Sequence, residues 1–204
     1  MITNLKDLFG NIDIYLFDQL LKGRFDNCKN VIDIGCGNGR NLVYFLKNNF
    51  DVFAIDQNEE AIKDTKNLSE KLAPHNSISN FCVSLVESIP FQNNQFDIVI
   101  CSAVLHFAKN KDHFGEMLHS IWRVLKPQGF LFVRLASNIG MEHLVSPIGN
   151  GCYLLPDGTE RFLVDEATLL NYTNELNGNL FEPIKTTNVQ NLRCMTTWCI
   201  QKNE

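Results

Sequence analysis

The sequence lacks the features of membrane-spanning, exported and strongly basic proteins. It has no run of about 18 apolar residues, and its beginning shows no basic segment followed by an unbroken apolar stretch. The net charge at pH 7 is -5, so there is no basic excess to attract a large polyanion. We therefore expect a cytoplasmic protein that does not bind a membrane and for which nucleic acid is an unfavourable partner.

Cysteine and histidine are present, but they are not arranged as ligands. The seven cysteines are dispersed without Cys-x-x-Cys spacing, which argues against both a disulfide framework and a zinc site. Among the five histidines, His113 and His119 are six positions apart, a spacing that does not place two ligands on one helical face. The sequence therefore predicts no metal site.

The most informative stretch is a glycine-rich turn that follows an apolar segment. Residues 31–41 read Val-Ile-Asp-Ile-Gly-Cys-Gly-Asn-Gly-Arg-Asn, and the glycines allow a sharp bend and a close approach of a ligand to the backbone. A dinucleotide-binding loop would have its third glycine one position later, where this chain has Arg40. The carboxylate of Asp33 would also repel a pyrophosphate, whereas it suits the ammonium and sulfonium of S-adenosylmethionine. The pattern favours this methyl donor over a nicotinamide dinucleotide.

A second acid supports the same ligand. Asp51–Asp56 is an apolar segment that ends in an acid. This acid lies about 20 residues beyond the loop, where nucleotide-binding folds of this kind hold a ribose diol. Asp56 is therefore the predicted ribose ligand.

These landmarks and three further ones resemble the class I S-adenosylmethionine-dependent methyltransferases. The further landmarks are Ser88–Phe91, Phe96–Ile100 and Leu125–Gly129. The resemblance runs from about residue 30 to residue 136 and continues more weakly to the end. Residues 35–41 and Val104–Phe107 look most similar to the small-molecule branch, which includes tellurite-resistance and thiol or chalcogen methyltransferases.

The resemblance implies an α/β fold with a Rossmann-like doubly wound, mostly parallel seven-stranded sheet, helices on both faces and an antiparallel final strand. It also implies that S-adenosyl-L-methionine is the cofactor and S-adenosyl-L-homocysteine its product. At Leu85 many relatives have an aspartate that binds adenine, so the adenine must be held otherwise. The candidate donor-binding residues are Asp33, Gly35, Cys36, Gly37, Asn38, Gly39, Asp56, Gln57, Val86, Glu87, Ser102 and Ala103.

The pattern along the chain predicts a single domain over residues 1–204. Residues 1–29 form a helical lid, residues 30–136 the donor-binding core, and residues 137–204 a substrate-facing loop and closing strands. The glycines and prolines of residues 138–160 predict a long irregular connection, which we expect to carry substrate specificity. The pattern predicts one or two helices over Leu5–Leu21 and single helices over Glu59–Leu72, Asp112–Leu125 and Asp165–Leu176. The predicted strands include Ser77–Ser84, Phe96–Cys101, Gly129–Leu135, Phe181–Asn188 and Leu192–Gln201.

Methyl transfer from a sulfonium requires alignment and exclusion of water rather than a catalytic triad. The candidate catalytic residues are His106 and Arg134. His106 follows the fourth predicted strand, where relatives with a similar Leu-His segment contact donor or acceptor, although a backbone-bonded histidine at a helix start fits equally. Arg134 lies in an apolar strand, so it either binds an anionic substrate or forms a structural ion pair. His143, Cys152, Arg161 and Arg193 are weaker candidates for the acceptor pocket.

We predict an S-adenosylmethionine-dependent methyltransferase that transfers a methyl group by in-line displacement to a small-molecule acceptor. The alternatives are a methyltransferase that acts on protein or RNA and a non-catalytic protein that binds S-adenosylmethionine. A nicotinamide oxidoreductase is disfavoured by the loop spacing and by Asp33.

Overall fold

The computed structural model describes residues 4–204, which contain eleven strands and six α-helices. The strands are β1 (Asn30–Ile34), β2 (Asp51–Asp56), β3 (Phe81–Val83), β4 (Phe96–Ser102), β5 (Leu125–Ser137), β6 (Ser146–Gly149), β7 (Cys152–Leu154), β8 (Glu160–Phe162), β9 (Gly178–Leu180), β10 (Lys185–Val189) and β11 (Arg193–Lys202). The helices are α1 (Leu5–Phe9), α2 (Ile14–Leu21), α3 (Val43–Lys47), α4 (Glu59–Leu72), α5 (Lys111–Val124) and α6 (Glu166–Glu175). Three short 3₁₀ turns cover Ile78–Asn80, Val86–Ser88 and Leu105–Phe107.

The main sheet has the predicted Rossmann-like architecture. Seven strands form a continuous sheet in the order β10-β11-β5-β4-β1-β2-β3. Strands β1 to β5 pair in parallel, whereas the final strand β11 runs antiparallel to its neighbours β5 and β10. An eighth strand, β9, pairs with the end of β11 and was not predicted. The predicted mostly parallel sheet with an antiparallel final strand is confirmed.

Alternating side chains of the central strands bury two apolar faces. In β1, Ile32 and Ile34 belong to one buried cluster, whereas Val31 belongs to the other. Helices α5 and α6 cover the first face, and α2, α3 and α4 cover the second. Because successive side chains of a strand point to opposite faces, Asp33 lies on the same face as Val31, under α2 and α3.

Helix α4 has the bounds predicted from the sequence. The side chain of Asn58 caps its start by accepting a hydrogen bond from the N–H of Glu60 (2.9 Å). Its first turn is acidic and its last turn contains Lys71, which complements the helix dipole. The helix begins directly after Asp56 and so fixes the chain beyond β2.

The predicted strand over Ser77–Ser84 is too long. Ile78–Asn80 forms a 3₁₀ turn, and only Phe81–Val83 pairs with β2. The reason is that a side chain replaces the neighbouring backbone at the start of β2. The amide of Asn76 accepts from the N–H of Val52 and donates to its carbonyl, both at 3.0 Å.

The predicted irregular connection over residues 138–160 is also wrong in part, because it contains a small antiparallel sheet of β6, β7 and β8. Asn150 and Gly151 both have positive φ angles, 56° and 82°, as a tight hairpin turn between β6 and β7 requires. The turn from β7 to β8 is closed by the N–H of Leu155, which donates to the carbonyl of Thr159 (2.9 Å). The small sheet brings β8 against the Leu105–Phe107 turn.

The N-terminal region forms two short helices, as predicted. Leu16 of α2 is fully buried, and Phe9 stacks on Tyr44 of α3 with ring centroids 5.4 Å apart. The Tyr15 hydroxyl is hydrogen-bonded to the hydroxyl of Thr187 on β10. None of the helices described here is both long and apolar enough to cross a bilayer.

Candidate active site

The glycine loop after β1 is shaped for close contact at its first two glycines. Gly35 has a φ of +70°, and a Cβ atom there would collide with the side chain of Val104. Gly37 also has a positive φ of +54°, but no heavy atom lies within 4 Å of the position of its missing Cβ. At Gly37 the loop therefore presents bare backbone beside open space, whereas at Gly35 the absence of a Cβ atom lets the backbone pack against Val104.

Asp33 is a buried carboxyl group without a hydrogen-bond partner. Its side chain is 1% exposed, and neither carboxylate oxygen has a partner among the described residues. Burial raises the pKa of Asp33 to about 8, and the charge of Asp56 adds to this effect while Arg40 opposes it. A buried carboxyl group without a partner is costly, so this position is matched to a ligand that supplies positive charge or hydrogen-bond donors.

Asp56 joins the glycine loop to the second strand. Its Oδ2 accepts the N–H of Gly37 and its Oδ1 accepts the N–H of Asn58, both at 2.9 Å. A carboxylate has about four acceptor positions, so each oxygen retains capacity for a further donor such as a ribose hydroxyl.

A cavity of about 380 Å³, named here the Asp56 cavity, lies at the carboxyl ends of β1, β2 and β4. In parallel α/β sheets, ligands bind in this position. The half-exposed side chain of Leu85 lies at its wall. The cavity is lined by Gly35, Asp56, Gln57, Ser84, Leu85, Val86, Glu87, Ala103, Val104, Phe107, Lys109, His113 and Met117.

A second cavity of about 390 Å³, named here the Arg134 cavity, lies beside the first. It is formed by the ends of β4, β5 and β11 and by the small sheet. Ala103 lines both cavities. The second cavity is lined by Ala103, His106, Arg134, Ala136, Leu155, Asp157, Thr159, Arg161, Arg193 and Met195.

Ala103 has a strained backbone at the junction of the two cavities. Its φ is +65°, which is unfavourable for a residue with a Cβ atom. Its N–H donates to the carbonyl of Arg134 at 2.7 Å, which holds the turn after β4 against β5. Strain of this kind is concentrated at functional sites, and here it coincides with the only lining residue that the two cavities share.

His106 is buried, neutral and oriented by the backbone. Its Nδ1 accepts the N–H of Ala136 at 3.2 Å, which places the ring proton on Nε2. Burial and, to a smaller extent, the charge of Arg161 lower the pKa of His106 to about 4. The histidine is bonded to backbone and lines the Arg134 cavity, and its contact with donor or acceptor stays a prediction.

Arg134 forms the ion pair that was one of its two predicted roles, and binding of an anionic substrate stays a prediction. Its Nη1 lies 2.7 Å from Oδ2 of Asp13, a side chain that is 1% exposed at the start of α2. The same Asp13 oxygen lies 3.7 Å from Nη2 of Arg40, and the N–H of Asp13 donates to the side chain of Asn41 (3.0 Å). Arg134 is therefore ion-paired on one side and lines a cavity on the other.

Asp13 and Arg40 were not among the predicted site residues. Arg40 also reaches the hydroxyl of Ser102, with Nη2 to Oγ at 3.4 Å, so it lies over the end of β4. Its position directly after the third glycine was a usable sequence signal. Asp13 had none, because its partners are 27 and 121 positions away in the chain.

The other predicted residues are spread around the two cavities. Gln57, Val86 and Glu87 line the Asp56 cavity, whereas the remaining predicted donor-binding residues do not, namely Asp33, Cys36, Gly37, Asn38, Gly39 and Ser102. Burial raises the pKa of Cys36 to about 12, so its thiol is not a nucleophile. Arg161 and Arg193 line the Arg134 cavity, but His143 and Cys152 do not.

The methyltransferase domain family matches residues 32–133, which is half of the 204-residue chain. The chain belongs to this family. The match confirms the resemblance to the class I S-adenosylmethionine-dependent methyltransferases that the glycine loop and Asp56 indicated.

Three comparisons represent the range of similar proteins. The 25S rRNA (adenine(2142)-N(1))-methyltransferase of Saccharomyces cerevisiae is 28% identical over 122 residues, which cover 59% of this chain and 32% of that protein. The 1,6-didemethyltoxoflavin-N1-methyltransferase of Burkholderia thailandensis was solved with bound 1,6-didemethyltoxoflavin and S-adenosylhomocysteine. It is 18% identical with a TM-score of 0.67, and the match covers 91% of this chain and 76% of that chain. TehB of Haemophilus influenzae is 18% identical with a TM-score of 0.64, and the match covers 94% of this chain and 63% of that chain.

The structural matches establish the fold, and the sequence matches are partial. This chain spans 32%, 42% and 52% of the length of the first three curated relatives. Because the printed acceptors of the similar proteins differ, the comparisons leave the acceptor of this chain undefined.

Proposed function

We propose that this chain is an S-adenosylmethionine-dependent methyltransferase whose acceptor is a small molecule. The observation that carries the proposal is the buried carboxyl group of Asp33, whose oxygens have no hydrogen-bond partner among the described residues and which lies behind the glycine loop. A cationic donor would supply the missing charge. Asp56 and the bare backbone at Gly35 and Gly37 complete a site that fits an adenosyl ligand.

Each part of the donor has a candidate residue. Asp33 and the loop backbone are placed to hold the methionyl ammonium, and Asp56 is placed to hold the ribose. Gln57, Val86 and Glu87 are candidates for the adenine end, where the Leu85 side chain supplies apolar contact. Arg40, above Ser102, is a candidate for the methionyl carboxylate. These assignments are proposals: those for the ribose and adenine rest on residues that line the Asp56 cavity, whereas those for Asp33 and Arg40 rest on their positions beside the glycine loop and the end of β4.

The work of the protein in this reaction is alignment. When bound, S-adenosylmethionine supplies an electrophilic methyl group. Ala103 lies between the two cavities and holds their shared wall through its hydrogen bond to the Arg134 carbonyl. Helix α2, anchored through Asp13 and Tyr15, and helix α1 before it are the candidates for a lid that excludes water.

The size and surroundings of the Arg134 cavity favour a small acceptor. Its volume of about 390 Å³ suits a small molecule, and the chain has a net charge of -5, which does not favour an extended RNA surface. An RNA acceptor is retained as the second candidate because the yeast relative is an rRNA methyltransferase.

Calorimetric titration with S-adenosylhomocysteine tests the donor assignment without knowledge of the acceptor. We expect one site with micromolar affinity. A titration with a nicotinamide dinucleotide is the matched control and should give no binding. If folded, ligand-free protein does not bind S-adenosylhomocysteine, the proposed function is wrong.

A further inference from the structure

The Arg134 cavity carries an excess of positive charge within an acidic chain. Its lining contains three guanidinium groups, those of Arg134, Arg161 and Arg193, and one carboxylate, that of Asp157. Arg134 is ion-paired with Asp13, so two guanidinium groups and one carboxylate remain, which leaves an excess of one positive charge. The whole chain has 23 acidic and 18 basic residues, so this concentration of arginine runs against its composition. The planar donor fork of arginine matches carboxylates and other oxyanions.

The side chains of Arg193 and Asp157 form no hydrogen bond with each other. Their closest atoms, Nη1 and Oδ2, are 3.8 Å apart, which is beyond hydrogen-bond reach. Asp157 accepts hydrogen bonds from the N–H and the hydroxyl of Thr159, at 3.0 and 2.6 Å, both through Oδ1, while its Oδ2 forms only a loose ion pair with Arg193. The donor fork of Arg193 makes no hydrogen bond to Asp157 and therefore remains available to a ligand in the cavity.

Arg161 is positioned by an aromatic ring rather than by an acid. Its guanidinium carbon lies 4.9 Å from the centroid of the Phe107 ring. Among the described residues its one hydrogen-bond acceptor is the carbonyl of Glu160, which binds Nη1 at 2.6 Å. Stacking on Phe107 holds the guanidinium in place without cancelling its charge.

His106 adds a donor rather than an acceptor. Because its Nδ1 is occupied by the Ala136 N–H, the proton lies on Nε2. The histidine thus cannot remove a proton from an acceptor molecule. Among the described residues that line this cavity, Asp157 is the one carboxylate, and its hydrogen bonds from Thr159 leave it a weak base.

From this arrangement we propose that the acceptor is a small anion bound by Arg161 and Arg193, and that its methylated atom is already deprotonated at neutral pH. The inference rests on the proposed function and narrows it to one class of substrate. Carboxylates, chalcogen oxyanions and thiols acidic enough to ionise at neutral pH belong to this class, whereas amines, aliphatic alcohols and ordinary thiols, with a pKa of about 8.5, do not.

The step balances without a catalytic base. A lone pair of the anion forms the new bond to the methyl carbon, and the bond from that carbon to sulfur breaks with its electron pair left on sulfur. The negative charge of the acceptor and the positive charge of the sulfonium disappear together, so no proton has to move.

The test uses paired probes on protein that is first shown to bind S-adenosylhomocysteine. A panel of small aromatic and aliphatic carboxylates and mercaptocarboxylates is compared with the corresponding carboxamides and esters. Binding to the saturated protein is measured by calorimetry, and methyl transfer is measured with labelled S-adenosylmethionine. We expect binding and turnover to be confined to the anionic members.

Variants separate the arginines from a general charge effect. Arg161→Gln and Arg193→Gln should each weaken binding of the best anion about tenfold or more, with S-adenosylhomocysteine affinity unchanged. Lys71→Gln, which removes an exposed positive charge on α4, is the control and should change neither. The proposal is wrong if no anion is preferred over its neutral counterpart, or if both arginine variants bind the anion as the wild type does. Loss of S-adenosylhomocysteine binding by the wild type would instead refute the proposed function.

Discussion

Asp13 and Arg134 form an ion pair, with Oδ2 and Nη1 2.7 Å apart, that joins the start of α2 to the end of β5. Asp13 also caps α2 by accepting the N–H of Tyr15 at 3.0 Å. One buried carboxylate therefore fixes the N-terminal helix and orients an arginine of the Arg134 cavity. The contact couples the proposed lid to the proposed acceptor site.

Removal of this carboxylate should destabilise the fold. Asp13→Ala leaves the mostly buried Arg134 without its partner and removes a helix cap, and we expect a loss of about 2 to 4 kcal/mol in the free energy of unfolding. Urea denaturation measures this loss. Asp18→Ala, which removes a more exposed acid of α2 that pairs with lysines, is the matched control and should cost less than about 1 kcal/mol. Equal losses in the free energy of unfolding for the two variants would show that the ion pair of Asp13 stabilises the fold no more than a surface ion pair does.

Asp33 should oppose stability in the absence of ligand. Burial raises its pKa from 3.8 to about 8, so the folded state holds a proton that the unfolded state releases. The protonated Asp33 therefore favours the folded state below about pH 4 most fully. As the pH rises to about 8, the free energy of unfolding falls by at most about 1.4 kcal/mol per pH unit. Asp33→Asn should remove that dependence and be the more stable protein at pH 8, while its affinity for S-adenosylhomocysteine falls. Thermal unfolding from pH 5 to 8, with and without the ligand, measures both effects; a variant that binds normally would remove Asp33 from the site.

Asp56 should be required for donor affinity. Asp56→Ala removes charge-assisted hydrogen bonds worth about 1.5 to 3 kcal/mol each and also releases the N–H groups of Gly37 and Asn58. We expect at least a tenfold loss of S-adenosylhomocysteine affinity by calorimetry. Asp51→Ala, at the exposed start of the same strand, should bind normally. Unchanged affinity in a folded Asp56→Ala protein would place the ribose elsewhere.

His106 should remain neutral throughout the physiological range. Burial lowers its pKa to about 4, so the folded state resists a proton that the unfolded state accepts near pH 6.5. The stability linked to this group is present above pH 6.5 and is lost as the pH falls towards 4. Titration of the imidazole resonances by NMR should show no transition above pH 5 for the His106 signal, which is assigned by its loss in His106→Asn. A His106 transition near pH 6.5 would contradict the buried, donor-only assignment.

The donor half of the molecule was predictable because its signals are local. The glycine spacing, Asp33 and Asp56 lie within one strand-loop-strand segment, and the structure places them at the ends of β1 and β2 as expected. The bounds of α4 could be predicted because the Asn58 cap and the acidic first turn are adjacent in sequence.

The acceptor half was less predictable because its contacts are long-range. Asn150-Gly151 is a strong hairpin signal, but the many glycines and prolines around it also fit an irregular loop, and the small sheet was missed. The gathering of Arg134, Arg161 and Arg193 depends on how β5, β8 and β11 meet in space. The spacing of these arginines in the sequence does not predict that they lie close together.

The most direct test of the account is a crystal structure of the protein with S-adenosylhomocysteine. We expect the adenosyl group in the Asp56 cavity, the ribose on Asp56, the methionyl ammonium towards Asp33, and the sulfur next to Ala103 at the opening to the Arg134 cavity. A ligand bound elsewhere, or one whose sulfur points away from the Arg134 cavity, would contradict the assignment of the two cavities to donor and acceptor.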